Sequence, residues 1–91
     1  MKGELKKMSD AEYIGRKYGK RVMYDLAKDS LKEYYAALKT YGEEKTWMPK
    51  IGLIPSTVRI DSLKEKYVFY REAYLSQQGK RELPDPEEVF K

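Results

Sequence analysis

Two stretches of the chain carry apolar residues at heptad spacing, one on each side of a segment that contains proline and glycine. The first set is Tyr24, Ala27, Leu31, Tyr34, Leu38 and Tyr41, and the second is Ile60, Leu63, Tyr67, Tyr70 and Tyr74. Alternating steps of three and four residues place side chains on one face of a helix. The pattern therefore predicts an all-α fold, a small three- or four-helix bundle in which two amphipathic helices pack antiparallel.

Both helices have recognisable end signals. Ser9 and Glu12 are spaced as in a capping box, so we expect the first helix to begin near Asp10. Gly42 is of the residue type that commonly ends a helix, and Gly79 is expected to end the second helix in the same way.

The first helix is too long for a small globule. Over residues 10–41 it would extend about 48 Å, whereas a compact domain of this size has a radius of gyration of about 12 Å. Its apolar residues also occupy two faces, since Ile14, Tyr18, Val22 and Leu26 lie on a different side from the seam that begins at Ala27. Two alternatives follow. The helix breaks near Asp29–Ser30, where Ser30 and Glu33 form a second candidate capping box, or it is continuous and lies between neighbours on opposite sides.

Residues 43–57 are expected to form a connector, because Pro49, Gly52 and Pro55 are incompatible with a regular helix. The segment is nevertheless rich in apolar side chains, namely Trp47, Met48, Ile51, Leu53 and Ile54. Because such residues prefer burial, we expect the connector to fold back over one end of the core. A small β-hairpin across Pro55–Ser56 is the alternative.

The chain length of 91 residues predicts a single helical domain over residues 1–91. An N-terminal arm at residues 1–8 and a tail at residues 79–91 could each be flexible. Within the tail, Asp85, Pro86 and Glu87 have the chemistry of a helix start, so the tail forms one more short turn or is a disordered end.

The composition argues against several kinds of chemistry. The chain has no Cys and no His, so it lacks the usual thiolate and imidazole ligands of zinc and the commonest general base. We therefore expect no catalytic residues, no metal site, no cofactor and no small-molecule substrate. The lack of Cys and of a long apolar run predicts a cytoplasmic protein without a membrane span.

Charged residues make up 37% of the chain, well above the roughly 25% of typical domains. Asn is absent. Both features are typical of thermophilic proteins.

Basic residues are concentrated in the first helix. Residues 1–41 hold ten basic and six acidic side chains, which accounts for the whole net charge of +4. A stripe along the helix is formed by Arg16, Lys17, Lys20, Arg21, Lys28 and Lys32. Such a stripe could neutralise phosphates, so nucleic-acid binding is one hypothesis for the function.

The nine tyrosines support a different hypothesis. Amphipathic aromatic side chains are favoured at protein interfaces, and the helix faces predict an interface formed by Tyr34, Tyr35, Leu38, Tyr67, Tyr70 and Tyr74. The favoured function is therefore a non-catalytic interaction module that self-associates or docks a protein partner. The alternative is that these rings simply form the core.

Small residues recur at every fourth position in Ala11, Gly15 and Gly19. Glycine inside a helix costs about 1 kcal/mol relative to alanine, so a compensating role is expected. Close packing of a second helix is favoured over a hinge or the close approach of a phosphate backbone.

Overall fold

The fold, seen in a computed structural model that describes residues 9–90, is built from helices alone. In chain order these are α1 (Asp10–Tyr18), α2 (Lys20–Trp47), a 3₁₀ turn (Met48–Ile51), α3 (Val58–Ser76) and α4 (Pro86–Val89). No strand occurs among the described residues. The all-α bundle is therefore confirmed, and the β-hairpin alternative is wrong because Val58 and Ile60 belong to α3. The predicted arm at residues 1–8 lies outside the described residues.

Helix α1 begins as its sequence predicts. Ser9 has an extended backbone and its Oγ accepts a hydrogen bond from the N–H of Glu12 at 3.1 Å. This side chain satisfies one of the N–H groups that a helix start leaves without a partner.

The break in the first helical stretch lies at Gly19, and the prediction of a break near Asp29–Ser30 is wrong. Gly19 has a φ of 90°, a conformation that side-chain-bearing residues rarely adopt, and it separates α1 from α2. Helix α2 continues without interruption through Asp29 and Ser30. Ser30 is buried, so its hydroxyl does not act as an exposed helix start.

Small residues of α1 allow it to approach α3 closely. Ala11 and Gly15 are buried, and a Cβ added at Gly15 would lie only 2.5 Å from the carbonyl oxygen of Ala73. This close backbone approach compensates for the glycine, as the spacing of small residues predicts. Gly19 has the separate role of turning the chain.

Helices α2 and α3 form the central antiparallel pair. Most of the predicted seam is confirmed, because Ala27, Leu31 and Tyr34 of α2 and Leu63 and Tyr67 of α3 are all buried in one core. Leu38 is the exception and is exposed. Towards the margins of the seam, Tyr24, Tyr41 and Tyr70 are half-buried.

Helix α2 extends beyond Gly42, and the prediction that it ends there is wrong. It runs to Trp47 and passes into the 3₁₀ turn, after which Gly52 adopts a left-handed φ of 81°. The N–H groups of Gly52 and Leu53 bond to the carbonyls of Pro49 and Met48, at 3.1 and 2.9 Å. One glycine weakens a helix without ending it, whereas Pro49 lacks the N–H that another helical turn requires. The connector is therefore shorter than residues 43–57 and comprises residues 48–57.

Helix α3 ends at Ser76, and the residue with left-handed backbone is Gln78 (φ 61°) rather than Gly79. The N–H groups of Gly79 and Gln78 bond to the carbonyls of Tyr74 and Leu75, at 3.2 and 3.0 Å. This pair of bonds is a Schellman motif. Gly79 is needed for a different reason, because a Cβ there would overlap the Tyr74 ring.

The two ends of the bundle differ. At one end, α1 and residues 79–90 cover the N-terminal half of α2 and the C-terminal half of α3. We call this region the closed end. At the opposite end, which we call the open end, the described residues form only the hairpin of α2, the connector and α3. The molecule is therefore elongated, with principal extents of 58 × 32 × 22 Å. The radius of gyration is 16.9 Å, against about 12 Å for a compact domain of this length. Within the described part of the chain, no helix combines the length and apolar character needed to span a membrane.

Candidate association surface

The predicted tyrosine interface is divided between core and surface. Tyr34, Tyr67 and Tyr74 are buried within the chain's own core, and Tyr70 is half-buried. Tyr35 is 53% exposed and Leu38 is 38% exposed. Only these last two of the six residues present substantial surface to a partner.

The buried rings bind the tail to the helices. The hydroxyl of Tyr67 donates a hydrogen bond to the carbonyl of Pro84, and the hydroxyl of Tyr74 accepts one from the N–H of Arg81, each at 2.6 Å. Phe90 lies edge-on to Tyr34 and Tyr67, with ring centroids 4.7 and 5.7 Å apart. The tail therefore covers part of the tyrosine face that was predicted to bind a partner. Asp85 caps α4 by accepting from the N–H of Glu87, as its sequence predicts.

Burial changes the acidity of two of these rings. Loss of solvent raises the pKa of Tyr34 above its ordinary 10.0, and the neighbouring Tyr35 raises it further. Loss of solvent likewise raises the pKa of Tyr67, although the Arg71 guanidinium opposes the shift. Both phenols therefore favour the neutral form, which Tyr67 needs in order to donate to Pro84.

A group of exposed apolar side chains lies at the open end of the hairpin. Between residues 38 and 59, all of them described, not one is buried. We call the apolar tip the group of exposed side chains formed by Trp47, Ile51, Leu53, Ile54 and Val58. Ile54 is 88% exposed and Val58 is 73% exposed. The prediction that the connector folds back over the core is therefore wrong, because no third layer formed by residues 9–90 reaches this end.

A groove lies between α2 and α3 beside the apolar tip. We call it the tip groove, and its volume is about 630 Å³. Small side chains from both helices line it, including Ala36, Ala37, Thr40 and Ser62. Its lining also includes one acid and one base, Glu44 and Arg59.

A second apolar groove, of about 420 Å³, lies where α1, α2 and α3 meet. Its walls include Ile14, Tyr18, Val22, Leu26 and Phe69. The sequence predicted a second apolar face on the long helix, and it consists of Ile14, Tyr18, Val22 and Leu26. This face is partly covered by α3, which explains why α2 carries apolar residues on two sides.

The six predicted basic residues are all exposed, and all lie at the closed end. The turn at Gly19 places Arg16 and Lys17 on α1 and the other four on α2, so the stripe does not follow one continuous helix. Two of the lysines stack on tyrosines, with Lys17 Nζ 5.4 Å from the Tyr18 ring centroid and Lys28 Nζ 5.9 Å from that of Tyr24.

A third concavity, beneath the tail, combines Lys28 and Arg71 with Glu82, Asp85 and Glu88. The Nε of Arg71 is buried here without a hydrogen-bond partner among the described residues. Across residues 9–90 there is no cluster of three or more metal-ligating acidic, His or Cys side chains.

Comparison with known proteins identifies no relative. No family model matches the chain, and no curated protein and no solved structure shows significant similarity to it.

Proposed function

We propose that this protein is a non-catalytic association module that self-assembles through the apolar tip. The observation that carries the proposal is the run of residues 38–59, which contains several large apolar side chains and no buried residue. Fully burying an Ile, Leu or Val side chain contributes about 1.5–3 kcal/mol. Covering the apolar tip is therefore favourable, and groups of exposed large apolar side chains often mark an interaction site.

The tip is favoured over the tyrosine faces because the chain already uses those faces internally. Tyr34 and Tyr67 contact Phe90 of the tail, and Tyr74 bonds to Arg81. Of the predicted interface, Tyr35 and Leu38 stay exposed, and Leu38 continues the α2 seam towards the open end.

Charge favours a second copy as the partner. Residues 43–61 contain three acids (Glu43, Glu44 and Asp61) and three bases (Lys45, Lys50 and Arg59), so the tip is neutral overall. The surplus of positive charge belongs to residues 1–41. Because the tip carries no net charge, two tips can meet without net electrostatic repulsion.

Gel filtration with light scattering tests this proposal. The wild-type chain should show a mass that rises with concentration towards twice the monomer mass. A double variant, Ile54→Lys/Val58→Lys, should remain a monomer while keeping the wild-type helix content by circular dichroism. A wild-type chain that is monomeric at every concentration up to millimolar contradicts the proposal.

Nucleic-acid binding is a second candidate function, supported by the exposure of all six basic side chains at the closed end. Because that end is opposite the apolar tip, the two activities do not exclude each other. A cytoplasmic location, expected from the absence of Cys, stays a prediction.

A further inference from the structure

The apolar tip places a projecting side chain next to a recess. Ile54 is the most exposed large apolar side chain of the described chain, at 88%. Two residues that follow it closely, Ser56 and Val58, line the tip groove. A projection and a recess on the same end of one chain are the two halves of a self-complementary interface, because a two-fold axis presents each of them to the other.

The groove suits an aliphatic side chain. Ala36, Ala37 and Thr40 are small, and this leaves space between α2 and α3. Ile60 and Leu63, which are buried in the core, contribute apolar surface to its lining.

We infer that two copies bind tip to tip about a two-fold axis, with Ile54 of each copy seated in the tip groove of the other against Ala36 and Thr40. This inference rests on the proposed self-assembly and names its geometry. The four helices of the two hairpins then share a core that neither hairpin has alone. The closed ends point away from each other.

Engineered cysteines test the geometry directly, because the natural chain contains none. One preparation carries Ile54→Cys and a second, differently tagged preparation carries Thr40→Cys. After mixing under reducing conditions, light scattering must first show that both variants still form dimers. Mild oxidation should then produce a disulfide between the two tagged chains, since such a bond requires Cα atoms roughly 4.4–6.8 Å apart. A chain with Glu72→Cys, at an exposed position on α3 near the closed end, is the control partner for Ile54→Cys.

The outcomes separate this inference from the proposal on which it rests. A dimer in which the cysteine at position 54 of one copy links selectively to the cysteine at position 40 of the other supports the inference. A dimer in which position 54 links no faster to position 40 than to position 72 overturns the inference and leaves self-assembly standing. If no dimer forms even for the wild-type chain, self-assembly itself has failed and the inference falls with it.

Variants of Ile54 and of the tip groove provide a second test that needs no oxidation. Ile54→Ala removes two equivalent contacts per dimer, so the dissociation constant should rise on the order of 100-fold, about tenfold for each contact. Ala36→Phe fills the groove and should weaken the wild-type dimer as strongly. An Ala36→Phe chain that dimerises as tightly as the wild type contradicts the seating of Ile54 in the groove.

Discussion

The hydroxyl of Tyr67 lies 2.6 Å from the carbonyl oxygen of Pro84 and donates a hydrogen bond to it. The two residues are 17 positions apart, so this bond closes a loop between α3 and the tail. Tyr67 is also one of the two largest fully buried side chains, and it contacts Phe90. The bond therefore joins the centre of the core to the segment that covers it.

Replacing Tyr67 by Phe should remove this bond and keep the ring. We expect a loss of about 0.5–1.5 kcal/mol in the free energy of unfolding, the usual net value of one hydrogen bond. Urea denaturation followed by circular dichroism measures it. The control is Tyr13→Phe, at a ring that is 55% exposed, where a change beyond about 0.5 kcal/mol is not expected.

The same phenols predict a loss of stability at high pH. Burial raises the folded-state pKa of Tyr34 and Tyr67 above the ordinary 10.0. Their contribution is therefore fully present below about pH 10 and is lost as the pH rises through the folded-state values. The free energy of unfolding should fall above pH 10, and the fall should be shallower in the Tyr67→Phe variant. An identical pH profile for the two chains would show that Tyr67 is not the source.

Two glycines in helices should respond in opposite directions to alanine. At Gly42 a Cβ meets nothing within 4 Å, so Gly42→Ala should stabilise the protein by about 0.5–1 kcal/mol. At Gly15 the added Cβ collides with the backbone of Ala73, and the strain of overpacking, about 1–3 kcal/mol, should exceed the gain in helix propensity. Thermal unfolding of the two variants beside the wild type measures both effects. Stabilisation by Gly15→Ala would contradict the close contact between α1 and α3.

The end of α3 offers a stabilising substitution. Gln78 has a left-handed backbone, which costs a side-chain-bearing residue roughly 1 kcal/mol or more. Gln78→Gly should therefore raise the free energy of unfolding by about 0.5–1 kcal/mol. The reciprocal control is Gly52→Ala, where φ is 81° and no atom obstructs the new Cβ, and this change should destabilise for the same conformational reason. No gain from Gln78→Gly in chemical denaturation would indicate that the turn is not formed as described.

Nucleic-acid binding is tested by titration with duplex and single-stranded DNA and RNA at two salt concentrations. If the basic residues neutralise phosphates, affinity should fall steeply with salt, and replacing Arg16, Lys17, Lys20 and Arg21 by Ala should remove most of the binding. The matched control replaces four exposed lysines that lie outside the stripe, namely Lys45, Lys50, Lys66 and Lys80, by Ala. No binding at low salt rules out this candidate.

The sequence predicted those parts of the fold that depend on local pattern. The heptad seam containing Leu31 and Tyr67 and the cap at Ser9 are local in this sense, since helical periodicity and the first turn determine them. The helix break was predicted at the wrong position because its position does not follow from helical periodicity alone. The turn at Gly19 accompanies the close approach of Gly15 to Ala73, which is far away in sequence.

The exposed position of the apolar tip was harder to predict for a related reason. Apolar residues in a connector indicate a preference for burial, but whether a covering layer exists depends on where α1 and the tail pack. Both lie at the closed end, and the tail covers Tyr34 and Tyr67 there. The absence of proline between Gly42 and Pro49 is the one sequence signal that could have shown α2 extending beyond the core.

Small-angle X-ray scattering of the wild-type chain and the Ile54→Lys/Val58→Lys variant, each over a dilution series, tests self-assembly through the apolar tip most directly. The account predicts that the wild type scatters with twice the mass of the variant at high concentration. Its radius of gyration should also be clearly larger, because tip-to-tip pairing lengthens a molecule whose longest extent is already 58 Å. Equal mass and equal radius of gyration for the two chains at all concentrations would contradict it.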